Sequence, residues 1–192
     1  MGYIGRPARS QNGGKILIST TNVSPAATVS ITSGLDSTYP VYEFHFVNMH
    51  PSADSKKLRM IASDDGGSSY GIATTTAVWS AYHNEADDGT ALSINTSTDS
   101  AQSTSEITIG DSTGYDNDQS CSGIMTLYDP SGTVYVKHFI ANIHQSSGSN
   151  FANSTHVAGY VNTQAAINAL QFSFDVGDID AGTIYMYGVK NG

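Results

Sequence analysis

Four clusters of acidic residues are the first places in this sequence where chemistry could occur. They are Asp64–Asp65, Glu85/Asp87/Asp88, Asp116/Asp118 and Asp175/Asp178/Asp180. Ca²⁺ takes six to eight oxygen ligands, often from such loops. No cluster has the spacing of an EF-hand loop or of a calcium-binding nonapeptide repeat, and acidic residues also cap backbone amides in turns. We therefore predict no cofactor and no firm metal site, with Ca²⁺ as the one ion that these clusters could bind. The better candidate ligands for Ca²⁺ are Glu85, Asp87, Asp88, Asp175, Asp178 and Asp180.

Nucleophile patterns occur without the context that catalysis requires. Ser69 in GSSYG and Ser112 in GDSTG match Gly-x-Ser-x-Gly, but a nucleophile elbow needs a following helix, and no helical pattern follows either serine. The single cysteine, Cys121, lies near apolar residues and is expected to be a buried hydrophobe. We predict no catalytic residue and a protein that is not an enzyme.

The six histidines lack the spacing of a zinc protease motif. His50, His83 and His144 fall at the ends of predicted strands, where several could meet at one rim of a β-sandwich. A hydrogen-bonded structural role is the commoner one for such histidines.

Short alternating apolar runs predict the elements that must position these residues. In Val41–Val47 the aromatic residues Tyr42, Phe44 and Phe46 fall on one face, which is the period of a half-buried strand. Asp64–Gly67 and Asp129–Gly132 each predict a hairpin turn.

The whole pattern predicts a single antiparallel β-sandwich of about ten strands. Its fold class is all-β and jelly-roll-like, with an N-terminal arm over residues 1–15 and a sandwich domain over residues 16–192. Residues 95–105 are expected to form a surface loop or an exposed sheet edge, and Ala165–Asn168 a single helical turn.

Composition and charge exclude several kinds of partner. The chain has 192 residues, of which 13% are charged, and its net charge is −9. A negative chain is repelled by nucleic-acid phosphates, and no apolar run has the length that crosses a bilayer. We therefore expect a soluble protein that binds neither nucleic acid nor membrane.

The arm contains glycine and proline, which break regular elements. Its apolar and basic residues predict attachment to a neighbouring subunit or to the sandwich itself, although a frayed terminus is the alternative. The residues concerned are Met1, Tyr3, Ile4, Arg6 and Arg9.

Several segments resemble virion structural proteins of marine phages that infect cyanobacteria. They are the opening MGYIGRPA, the closing Gly182–Lys190, and the internal runs YEFHFVNMHP, AYHNEADDGT, YVKHFIANIH and HVAGYVNT. The resemblance covers most of the chain and implies a jelly-roll domain in a phage particle, without saying which part of the particle. It brings no catalytic motif.

We therefore expect a structural virion protein, such as a capsid decoration, neck, tail or fibre component, acting through protein–protein contacts. It is expected in the virion, and in the host cytoplasm during assembly, as a homo-oligomer, with a homotrimer favoured, bound to other virion proteins. The alternative is a receptor-binding module that holds a host surface glycan through polar loops, with Tyr70 and Tyr115 as contact residues. Those loops are Asp64–Tyr70, Asn84–Thr90, Tyr115–Gln119 and Gln145–Asn150.

Overall fold

The computed structural model describes residues 14–190 and shows thirteen β-strands and no helix in that range. The strands are β1 (Lys15–Asn22), β2 (Thr28–Ile31), β3 (Val41–Pro51), β4 (Lys56–Ser63), β5 (Thr74–Asn84), β6 (Thr90–Ile94), β7 (Ser100–Ser103), β8 (Ile107–Thr113), β9 (Cys121–Tyr128), β10 (Lys137–Ser146), β11 (Phe151–Val161), β12 (Ala169–Phe174) and β13 (Ile179–Val189).

The strands form two antiparallel sheets that pack face to face. The large sheet has nine strands in the order β1-β13-β3-β9-β10-β11-β5-β6, with β7 also paired to β5. The small sheet has the order β2-β12-β4-β8. The all-β sandwich expected from the sequence is confirmed, whereas the jelly-roll topology stays a prediction.

The core lies between the sheets and is built from the inward residues of alternating strands. Tyr42, Phe44 and Phe46 of β3 are all buried, as the period of two predicts. Phe172 of the small sheet packs against Phe44 and Phe46, with ring centroids 5.9 and 5.1 Å away. Aromatic contacts therefore join the two layers at the centre of the sandwich.

One hairpin prediction is confirmed and the other is wrong. β9 and β10 pair directly, and Gly132 N–H donates to the Asp129 carbonyl oxygen at 3.1 Å. The turn Asp64–Gly67 forms with positive φ at Gly66 and Gly67, but it connects β4 in the small sheet to β5 in the large one. The turn residues therefore set the local bend but not the strand pairing, because β4 pairs with β12 and β8, which come from distant parts of the chain.

Two further expectations need correction. Ala165–Asn168 forms no helical turn. It is an irregular connection that begins in a bend at Ala165, and Asn168 N–H donates to the Ser63 carbonyl oxygen. The number of strands is thirteen rather than about ten. Ser/Thr-rich segments such as β7 lack the apolar alternation that marks a strand in sequence, and β7 lies within the segment 95–105 expected as a loop or sheet edge.

The sandwich begins at Lys15, one residue before the predicted domain boundary. The arm residues Met1, Tyr3, Ile4, Arg6 and Arg9 lie outside the described residues.

Candidate interaction surfaces

Three of the four polar loops proposed to bind a glycan meet at one end of the sandwich, which we call the rim. Glu85 N–H donates to the Asn150 carbonyl oxygen at 3.0 Å, joining the loop after β5 to the loop after β10. Gln119 Nε2 donates to the Ser147 carbonyl oxygen at 3.2 Å, which adds the loop before β9. The rim is therefore a continuous hydrogen-bonded surface.

The fourth loop, Asp64–Tyr70, lies at the opposite end, because β4 runs from the rim to that end before the loop begins. Tyr115 on the rim is exposed, whereas Tyr70 is half-buried and its hydroxyl is buried without a hydrogen-bond partner. The two tyrosines proposed as glycan contacts are thus on separate surfaces.

His50 connects three parts of the rim. Its Nδ1 lies 2.6 Å from Asp180 Oδ1, and its Nε2 lies 3.2 Å from the Asp116 carbonyl oxygen. Both partners can only accept hydrogen bonds, so both contacts are satisfied together when the imidazole carries two N–H groups. The cationic form of His50 therefore holds the end of β3, the start of β13 and the Tyr115–Gln119 loop together.

The environment of His50 favours that form. Partial burial on its own lowers the pKa of His50, but the hydrogen bonds to Asp180 and Asp116 and the charge of Asp180 outweigh it, so the pKa is raised above 6.5. The stabilisation is therefore fully present below the unfolded-state pKa and is lost as pH rises through the raised folded-state pKa.

We expect Asp180→Asn to lower the free energy of unfolding by under about 1 kcal/mol near pH 6, since this ion pair is partly exposed and screened. The loss should shrink as pH rises through the raised pKa of His50, because the wild-type imidazole then becomes neutral. Urea denaturation at a series of pH values measures the difference. Asp178→Asn, an exposed acid in the same connection, is the control. A loss that is equal at all pH values would contradict the His50 contact.

The acidic clusters are divided among separate contacts. Asp175 accepts a hydrogen bond from Lys57 N–H, Asp180 contacts His50, and Asp178 is exposed. Asp87 lies 3.1 Å from His83, and Asp88 accepts a hydrogen bond from the Asn84 side chain. Between residues 14 and 190, no group of three or more His, Cys, Asp or Glu side chains could hold a metal ion.

The three histidines expected at one rim do lie towards the same end of the large sheet. His50 and His83 are the last residues but one of β3 and β5, and His144 is near the end of β10. Other strands lie between β3, β10 and β5 in the sheet order, so the rings are separated rather than gathered at one point.

The two candidate nucleophilic serines lie in a hydrogen-bonded turn and inside a strand. Ser69 donates its hydroxyl to Asp65, which also accepts the backbone N–H of Ser69 and closes the turn. These hydrogen bonds from Ser69 and Ser63 lower the pKa of Asp65 to about 2. Ser112 lies inside β8 with φ of 56°, and β8 is followed by a loop and then by β9.

Cys121 is fully buried at the start of β9. Burial raises the pKa of its thiol to about 12, so the thiolate that would act as a nucleophile is disfavoured. This agrees with the sequence expectation that Cys121 packs as a small hydrophobe.

A feature that sequence reasoning missed is the face of the large sheet that points away from the small sheet, which we call the outer face. Outward side chains alternate with core residues on the central strands of the sheet and include several large apolar groups. Trp79, Ile124, Tyr128 and Ile140 are each at least 39% exposed there. Trp79 also stacks on His156, with the rings 5.5 Å apart and nearly parallel.

The outer face has almost no charge. Within the nine strands of the large sheet, the Asp, Glu, Lys and Arg residues are Lys15, Glu43, Lys137 and Asp180. Lys137 is buried, where its ammonium group donates to the carbonyl oxygens of Tyr135, Thr163 and Gln164, and Asp180 is on the rim. Of these four strand residues, Lys15 and Glu43 remain on the outer face within residues 14–190, and they pair at 2.6 Å.

A shallow depression lies on the outer face beside Trp79. Its volume is about 450 Å³. The small residues Ala77 of β5 and Ala158 of β11 line it together with the larger Tyr128, Ile140 and Tyr160. The face therefore has both projecting and recessed parts. Such a surface shape can form the complementary packing found at the core of protein interfaces.

Comparison with known proteins finds no matching family model and no matching curated protein. Across residues 14–190, no helix is long and apolar enough to span a membrane.

Proposed function

We propose that this chain is a structural component of a bacteriophage particle and that it acts through protein–protein contacts. Its place is a capsid decoration, neck, tail or fibre subunit, bound to other virion proteins and to further copies of itself as a homotrimer. The observation that carries the proposal is the outer face, which is broad and almost uncharged and carries several large exposed apolar side chains among uncharged polar ones. Exposed apolar patches of several hundred Å² mark interaction sites on soluble proteins.

The fold supports a role based on contact. Two packed sheets provide a body whose surfaces keep a fixed geometry, since the core is built from interlocked aromatic and aliphatic side chains. The opening, closing and internal segments resemble cyanophage virion proteins, and this resemblance supports a place in a phage particle. The protein is not an enzyme in this proposal, and it needs no cofactor.

The alternative of a glycan-binding module has less support from the arrangement of the loops. A sugar-stacking platform would gain from paired aromatic rings, whereas Tyr70 and Tyr115 lie at opposite ends of the sandwich. Tyr115 remains an exposed aromatic residue on a hydrogen-bonded rim, so we rank glycan binding second to the structural role.

Incorporation into particles tests the proposal directly. We expect mass spectrometry to find the chain in purified phage particles at many copies per particle. Deleting residues 1–13, which leaves β1 intact, should reduce incorporation at least about tenfold if the arm attaches the subunit, because about 1.4 kcal/mol of lost contact energy is tenfold in binding.

The full-length chain is the control, and the variant Arg6→Ala/Arg9→Ala keeps the length of the chain while removing two of the expected attachment residues, so it should also reduce incorporation. Absence of the full-length chain from particles, while it is present in the infected-cell lysate, would contradict the structural function. Normal incorporation of the deleted chain would contradict only the role of the arm.

A further inference from the structure

We infer that the outer face of the large sheet is buried against a neighbouring copy of this same chain. The inference deepens the proposed structural function, because it names the surface through which copies meet. It rests on the charge, size and relief of that face.

Charge selects another copy as the occupant. The chain has a net charge of −9, and two of its seventeen acidic residues, Glu43 and Asp180, lie on the strands of the large sheet. The others lie in loops and on the small sheet. Copies that meet through the acidic loops bring like charges together, which is unfavourable, whereas the acids beside the small sheet pair with Lys57 and Arg59. On the outer face Glu43 is paired with Lys15, and two copies can approach without that repulsion.

The size of the face suits a stable contact. Six strands from β13 to β5, spaced about 4.8 Å apart, and about six residues along each strand give an area of roughly 30 by 20 Å. This projected area of about 600 Å² approaches the ~800 Å² that each partner buries in a standard interface.

The relief of the face is complementary to itself. Trp79 and His156 stack on each other, and the depression lined by Ala77 and Ala158 begins two residues away along the same strands. A copy of this chain therefore has both the projecting group and the space to receive one, as a contact between the same face of two copies requires. Such a contact joins two copies about a two-fold axis and is separate from the contacts that close a homotrimer. Trp79 and Tyr160 are also the residue types that most often dominate binding energy in protein interfaces.

Ile140 provides the sharpest test. It is at the centre of the outer face, is 51% exposed, and points away from the core, so a charged replacement is compatible with folding. We expect the purified wild-type chain to form a homo-oligomer in sedimentation experiments at about pH 8, where histidine side chains are ordinarily neutral. Ile140→Asp should weaken this association about 100-fold or more, because an unpaired carboxylate would be buried at the contact.

Val176→Asp is the matched control, because Val176 is an aliphatic residue of similar exposure, 58%, in the connection between β12 and β13. Ile124→Asp is a second variant on the outer face and guards against a local defect at position 140. Circular dichroism confirms that each variant is folded.

Loss of association in both outer-face variants, with wild-type behaviour of Val176→Asp, supports the inference. A monomeric wild-type chain, an unchanged Ile140→Asp oligomer, or equal weakening by Val176→Asp would overturn it. A chain that is monomeric alone and yet incorporated into particles would overturn this inference and leave the proposed function standing.

Discussion

Phe172→Ala should lower the free energy of unfolding by about 4 kcal/mol, the range found when a large buried aromatic side chain is removed from a core. Phe172 is fully buried in the small sheet, and its ring packs against Phe44 and Phe46 of the large sheet. The substitution therefore removes the aromatic contact between the two layers and leaves a cavity where they meet. Urea denaturation followed by far-UV circular dichroism measures the change.

Phe151→Ala is the control for this prediction. Phe151 is half-buried at the start of β11 and meets the Tyr82 ring near the rim, so its loss should cost under about 2 kcal/mol. If Phe172→Ala cost no more than Phe151→Ala, the packing of the two sheets through these rings would be wrong.

Gly123→Ala should destabilise the protein by about 3 kcal/mol, the upper part of the usual cost of overpacking a core. Gly123 lies in β9 between Phe46 of β3 and Ile143 of β10. A Cβ at this position would overlap the Asn142 carbonyl oxygen and lie 2.7 Å from Ile143 Cα. Both of these atoms belong to the backbone, so the steric overlap is removed only if β9 and β10 move apart at the centre of the large sheet.

The matched control is Gly14→Ala, since a Cβ at Gly14 meets no heavy atom within 4 Å. Its effect should stay within about 0.5 kcal/mol, as for most surface substitutions. The same denaturation experiment compares the two variants. Equal stability of Gly123→Ala and Gly14→Ala would contradict the close approach of β9 and β10.

The sequence predicts local structure well where one physical signal dominates. The strict alternation in Val41–Val47 identifies both a strand and its buried face, and Asp129–Gly132 identifies a true hairpin. The Asp64–Gly67 turn shows the limit of this reasoning, because turn chemistry determines a bend and not the sheet that the next strand joins. That choice depends on pairings between distant segments, such as β4 with β12.

The candidate surfaces are harder to predict for the same reason. In Lys137–Ser146 both alternating sets contain isoleucine, Ile140 outside and Ile143 inside, so the pattern alone does not show which apolar face is exposed. The contact of His50 with Asp180 joins residues 130 positions apart, and its contact with the Asp116 carbonyl spans 66. Only the register of the large sheet brings these groups together.

A density map of the intact phage particle, with this subunit placed in it, tests the contact role most directly. We predict that the subunit occupies repeated positions and that Trp79 and Ile140 are covered by a neighbouring copy of the chain. A particle without the subunit would contradict the proposed function. A placed subunit whose large sheet faces open solvent would contradict the assignment of the outer face.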